Sequence, residues 1–263
     1  MSIDIGAPLE EGIDRLTARN GRVFVGLVAL LSIVSVVLAA DLAAAVFEFV
    51  VEETDLTVED IPTDANPLLG DDPTEPVVGV PPTAAVLGLL AVGVLNVVVT
   101  VGAARTFAGE ERDGIPEGAF TRKLGWALLN LVVGGLVFGL AVGFGMVLVV
   151  PGIFLLVSLF VWIFPVVLDD ETFVEGFRES WGLTRGNRVS LFVLLLVVFL
   201  LLVVASAVGN VVTAAAPPLA GVVVTALVGG ISTTFGIAVA ARTYRELQRA
   251  AAGPADSPAA EPV

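Results

Sequence analysis

The chain has 263 residues, 56% of them hydrophobic, and its 27 acids against 13 bases give a formal charge of −14. It contains no histidine and no cysteine, which excludes histidine general bases, thiol nucleophiles, disulfides and metal sites built on either residue. The bases form no patch of the kind that grips nucleic acid, so neither a nucleic-acid partner nor a cofactor or metal site is expected.

The apolar residues come in unbroken runs about twenty long, the length of helix that crosses the ~30 Å hydrocarbon core of a bilayer. The predicted fold is therefore all-α, a polytopic helical bundle of about six spans. The acids are spread through every polar segment and Lys123 is the single lysine. Carboxylates that hold water where salt screens weaker charges explain that bias as a salt-loving, acidic-proteome composition; a specific cation-binding role is the alternative.

Residues 1–22 form a cytoplasmic N-terminal segment. Leu9, Ile13 and Leu16 share one helical face there, with Arg15 and Arg19 beside it, which suggests an interfacial helix. The membrane domain follows over residues 23–249. Its first span runs from Val23 to about Ala40, with helix continuing as far as Val50. The 22 residues before it and their four acids argue against a cleaved signal peptide.

The acidic loop 51–82 carries no base. Its Asp71, Asp72 and Glu75 lack the alternating ligands of a calcium loop, so a solvated, irregular excursion is expected. Span two is Thr83–Ala104, span three Leu124–Val150, span four Pro151–Leu168, span five Val189–Thr213 and span six Leu219–Ala241. Pro151 starts span four and Pro165 kinks it. Residues 250–263 have the composition of a disordered tail.

All thirteen bases, from Arg15 to Arg249, fall on one side of this six-span threading, and the other side has none. By the positive-inside rule both termini are cytoplasmic in a multi-pass protein of the cell membrane.

The charged stretch 169–188 lies on that same side. Phe173, Phe177 and Trp181 recur every four residues opposite Glu171, Glu175, Glu179 and Arg178. That pattern predicts a helix in the membrane interface, its aromatics serving as anchors, capped by Asp170 and stopped at Gly186. A structural elbow between spans four and five is the plainer reading, and a ligand-contacting lid the other. Arg178, Arg185 and Arg188 are the expected contacts for anionic lipid headgroups, because guanidinium offers two parallel hydrogen bonds to phosphate.

Helices pack closely in lipid through small residues. Gly135, Gly139 and Gly143 on span three form one such row. Span six carries two, Gly221-Thr225-Gly229-Thr233 and Ala226-Gly230-Thr234-Ala238, so these spans are expected at the centre and the Leu/Val/Phe-rich span five against lipid. The same rows serve a homo-oligomer or a membrane-protein partner equally well. Among the polar residues in or beside spans, the asparagines Asn96, Asn130 and Asn210 are expected to hydrogen-bond between helices, and Asp41 to sit at an interface.

Pro151-Gly152 opening a span, the elbow, and then Ser180-Trp181-Gly182-Leu183-Thr184-Arg185-Gly186 resemble the membrane domain of glycerophosphoryl diester phosphodiesterases. They are also similar to a related set of haloarchaeal six-span proteins, over roughly residues 120–245. The resemblance implies membrane architecture and not catalysis, since that family's activity belongs to a separate soluble barrel using histidine and carboxylates with a metal. A non-enzymatic membrane domain that binds lipid or a partner protein is the expectation, and a transporter or permease subunit the alternative.

Overall fold

The structure is a computed structural model that describes residues 6–54 and 74–252. Among them there are nine helices and no strand: α1 (Gly6–Thr17), α2 (Arg19–Glu53), α3 (Pro82–Ala108), α4 (Leu124–Val147), α5 (Val150–Ser158), α6 (Ile163–Leu168), α7 (Phe173–Thr184), α8 (Arg188–Ala215) and α9 (Pro218–Ala252). Six segments are long and apolar enough to cross a membrane: α2, α3, α4, α5 with α6, α8, and α9 from Leu219 on. Asp71, Asp72 and residues 253–263 lie outside the described residues, while 250–252, expected in the tail, continue α9.

The chain divides into two compact units. One comprises residues 1–22, 100–201 and 234–263; the other comprises 23–99 and 202–233.

In the first unit the N-terminal segment is held by the protein. The buried face of α1 is Pro8, Gly12 and Arg15, whereas Ile13 is 58% exposed. The face expected to lie on the membrane is thus turned outward, because Gly12 admits Phe235 and Val239 so closely that a β-carbon there would lie 2.6 Å from the Phe235 ring. Arg15 donates to the carbonyls of Gly109 and Glu111, both at 2.5 Å, and pairs with Glu11 at 2.8 Å. Asn20 donates to the Glu111 and Gly114 carbonyls. Burial alone would raise the Glu11 pKa, but the Arg15 hydrogen bond and the charges of Arg15, Arg112 and Arg245 outweigh it and hold the carboxyl below its ordinary value.

Helices α4 and α5 form a tight hairpin. Val149 adopts φ 61 and ψ −66 while the Val150 N–H reaches the Leu148 carbonyl at 2.7 Å, a three-residue turn. Gly145 and Gly152 make it possible, since a β-carbon on Gly145 would stand 2.8 Å from the Gly152 Cα. Span four is broken between α5 and α6 rather than simply kinked. The break precedes Pro165, which has no N–H to return to the Val161 carbonyl.

In the second unit Asp41 is a loop anchor. It is 1% exposed, and its two carboxylate oxygens accept the N–H groups of Val77 (2.7 Å), Val78 (3.0 Å) and Val80 (2.8 Å). Gly230 packs on α2, where a β-carbon would meet the Val25 carbonyl oxygen at 2.6 Å.

The expected glycine row of span three is not the row that packs within the chain. Gly135, Gly139 and Gly143 have open space where a β-carbon would point, and Gly139 and Gly143 are exposed. The close contacts are made one helical step away by Gly134, against Phe173 and Trp162, and near the turn by Gly145. Span three is accordingly not central over its second half, where Leu136, Leu140, Phe144 and Val147 are exposed. On α9 the row Ala226, Gly230, Thr234 and Ala238 is buried as expected, whereas Gly229 has open space beside it. Nor is α8 wholly outward: Leu191, Leu194 and Val198 bury one face.

Candidate functional site

The charged stretch forms α7. Its cap is Thr172, not Asp170: the Thr172 hydroxyl accepts from the Glu175 N–H while the Glu175 side chain accepts from the Thr172 N–H, a reciprocal capping box. These bonds from the Thr172 backbone and hydroxyl, with the Arg178 charge, hold the Glu175 carboxyl below its usual pKa. The first exposed N–H of the helix, on Phe173, is bonded by the Asn130 side chain of α4 at 3.0 Å. Gly186 lies just beyond the last turn with φ 92, the left-handed conformation that glycine adopts freely, and stops the helix as expected.

Asp170 is a hub. Arg122 (3.2 Å), Lys123 (3.4 Å) and Arg105 (4.0 Å) surround its carboxylate, Trp126 donates to its carbonyl, and Arg105 also donates to the carbonyls of Val167 and Ala119. Glu171 is in the opposite situation. Burial, then repulsion from Glu179, Glu175 and Asp169, raises its pKa. Tyr244, stacked on Phe164, donates its hydroxyl to Glu179 at 3.0 Å.

The face of α7 that meets the protein is Gly176, Ser180 and Thr184, all buried. Both hydroxyls donate to the Ser158 carbonyl at 3.1 Å, where the α5–α6 break leaves that oxygen without its helical partner. The aromatic row flanks this contact instead of anchoring in the interface. Phe177 packs edge-on against Trp162 at 4.9 Å and Phe173 against Phe177 at 5.8 Å, so two of the three expected anchors are protein contacts. Trp181 remains 41% exposed and meets Phe154 edge-on at 5.4 Å.

Here one expected headgroup arginine finds an unusual seat. The Arg188 guanidinium lies 4.6 Å from the Trp181 ring centre and 4.7 Å from that of Phe154. Its Nε and Nη2 are buried and have no hydrogen-bond partner among the described residues. It borders a cleft of about 310 Å³ walled by Val150, Ile153, Phe154, Val157, Val189 and Phe192. Arg178 and Arg185 are exposed, and no described contact joins them to Arg188.

A second depression, of about 260 Å³, lies in the other unit. Ser206, Gly209, Asn210, Thr225, Val228, Gly229, Ser232 and Thr233 line it. Of the asparagines, Asn130 bridges helices as expected; the Asn96 amide donates to Val92 within its own helix, and Asn210 faces this groove.

Six apolar membrane-length segments with a cleft opening among apolar side chains define a multi-pass helical membrane protein. The chain belongs to the family of the DUF7847 domain, a domain of unknown function whose family model matches residues 3–247. No curated protein matches it, and no solved structure does.

Proposed function

We propose that this protein is a non-catalytic domain of the cell membrane that binds membrane lipid on its arginine-bearing side, with both termini in the cytoplasm. The supporting observation is the Arg188 guanidinium, seated on two aromatic rings with buried N–H groups that no atom of the described residues accepts. The exposed Arg178 and Arg185, and the half-exposed indole of Trp181, add charge and an amphipathic ring of the kind favoured at headgroup level. The acidic excess fits a salt-loving source of the haloarchaeal type, and the elbow keeps its resemblance to phosphodiesterase membrane domains as architecture only.

Native mass spectrometry of the protein gently extracted from its own membrane tests this reading. A retained phospholipid is the expected result. A bare monomer, or a stoichiometric protein partner without lipid, overturns it. The transporter reading draws on the polar groove around Asn210, Ser232 and Thr233. Solute uptake by proteoliposomes that Asn210→Leu abolishes would favour it instead.

A further inference from the structure

The Arg188 cleft has two chemistries within one small space. Its walls are aliphatic or aromatic, and among the described residues Arg188 is the one charged residue lining it. Leaving a buried charged N–H without an acceptor is more costly than leaving a neutral one so. The Phe154 and Trp181 rings attract the cation through their faces but accept no conventional hydrogen bond from Nε or Nη2. These two nitrogens form one edge of the guanidinium plane, the edge that matches two oxygens of a phosphate or carboxylate. That edge therefore suits an anion, and the walls beside it suit hydrocarbon.

The cleft is open to the surroundings of the protein. Val189 is 79% exposed, Val150 73%, and Phe154 and Phe192 about 40% each. In a protein that crosses a bilayer the adjoining phase supplies both on one molecule. Among the described residues no carboxylate lines the cleft.

We infer that Arg188 and this cleft form a specific site for one anionic phospholipid. The phosphate oxygens lie on the Nε–Nη2 edge, and one acyl chain runs along Val150, Ile153, Val189 and Phe192. The inference rests on the lipid-binding reading above and makes it narrower: the ligand is a phospholipid of net negative headgroup, at a single place.

The test uses the full chain reconstituted in vesicles of equal parts phosphatidylglycerol and phosphatidylcholine, followed by native mass spectrometry of the released complexes. The wild type should retain one phosphatidylglycerol in preference to phosphatidylcholine. Arg188→Gln should lower that retention about tenfold, the loss of one charge-assisted bidentate contact. Arg188→Lys, which keeps the charge without the fork, should fall between. Val189→Trp should block the chain while leaving Arg188 in place, and its thermal melting should match wild type because the position is open.

Equal retention of the two lipids by wild type overturns the headgroup class. Undiminished retention in Arg188→Gln and Val189→Trp, lost instead in Arg178→Gln/Arg185→Gln, overturns this site and leaves the lipid-binding reading standing. No lipid on any variant or on wild type overturns both.

Discussion

Two glycines of α7 receive the same substitution with opposite consequences. A β-carbon on Gly176 would stand 2.7 Å from the Trp162 carbonyl oxygen and 2.9 Å from a Val166 methyl, whereas nothing lies within 4 Å of one on Gly182. Glycine to alanine inside a helix gains about 1 kcal/mol from backbone entropy and propensity. That gain is common to both sites and cancels in the comparison. What remains is the overpacking at Gly176, about 1–3 kcal/mol, because the Trp162 carbonyl is backbone and cannot swing aside. At about 2–4 °C per kcal/mol for a chain of this size, Gly176→Ala should melt roughly 2–12 °C below Gly182→Ala. Thermal unfolding in one detergent, followed by tryptophan fluorescence, measures the gap. Trp181 sits on the affected helix and should register its release. If Gly176→Ala melts at or above Gly182→Ala, α7 does not dock through its small-residue face, and the seat of Arg188 loses its support.

Two further substitutions probe charge. The folded pKa of Glu171 is raised by burial and by its acidic neighbours above the ordinary 4.5, so its favourable contribution is full below that value and is lost as pH rises through the raised one. Glu171→Gln should therefore raise the melting temperature at neutral pH, and the gain should vanish as pH falls below 4.5; a gain independent of pH refutes the assignment. Asp41→Ala removes the acceptor of three backbone N–H groups, at a cost of about 3 kcal/mol or more given charged acceptors and incomplete additivity. Hydrogen exchange at Val77, Val78 and Val80 should speed up selectively, with Asp41→Asn in between, and unchanged exchange at those amides rules the anchor out.

The spans were legible because membrane crossing depends on a one-dimensional quantity, the length of an apolar run. All six expected spans correspond to apolar segments of membrane length, and the first helix continues past Val50 to Glu53. But Val150, which the threading sets on the base-free side, borders the same cleft as Arg188 from the other side. Local signals held where they were local: Gly186 stops α7, and Pro165 follows the break in span four. Asp170 was the expected cap because it is an acid at the start of a helix. Thr172 takes that place since Glu175 falls three residues after it, the spacing of a capping box. The role of Asp41 had no local signal at all, since its partners are backbone N–H groups 36 to 39 residues away.

The other differences between expectation and structure are rotations of helices, and they share a cause. In α4 and α7 the conspicuous row is not the one that packs within the chain, and small residues beside it make the close contact: Gly134 instead of Gly135, and Gly176 with Ser180 and Thr184 instead of Phe173 and Phe177. Water drives large apolar faces inward, but lipid does not, so a helix beside a membrane gains most by presenting the face that brings backbones near. Adjacent positions on a helix differ by about 100°, a consequence of 3.6 residues per turn, so choosing between neighbouring glycines turns the contact face by more than a quarter-turn. The hydroxyls of Ser180 and Thr184 settle the rotation for α7, because one broken helix end offers the Ser158 carbonyl where both can reach it. That orientation leaves Trp181 at the edge of the contact beside Phe154, and the paired rings become the seat on which Arg188 rests with two N–H groups still to be bonded.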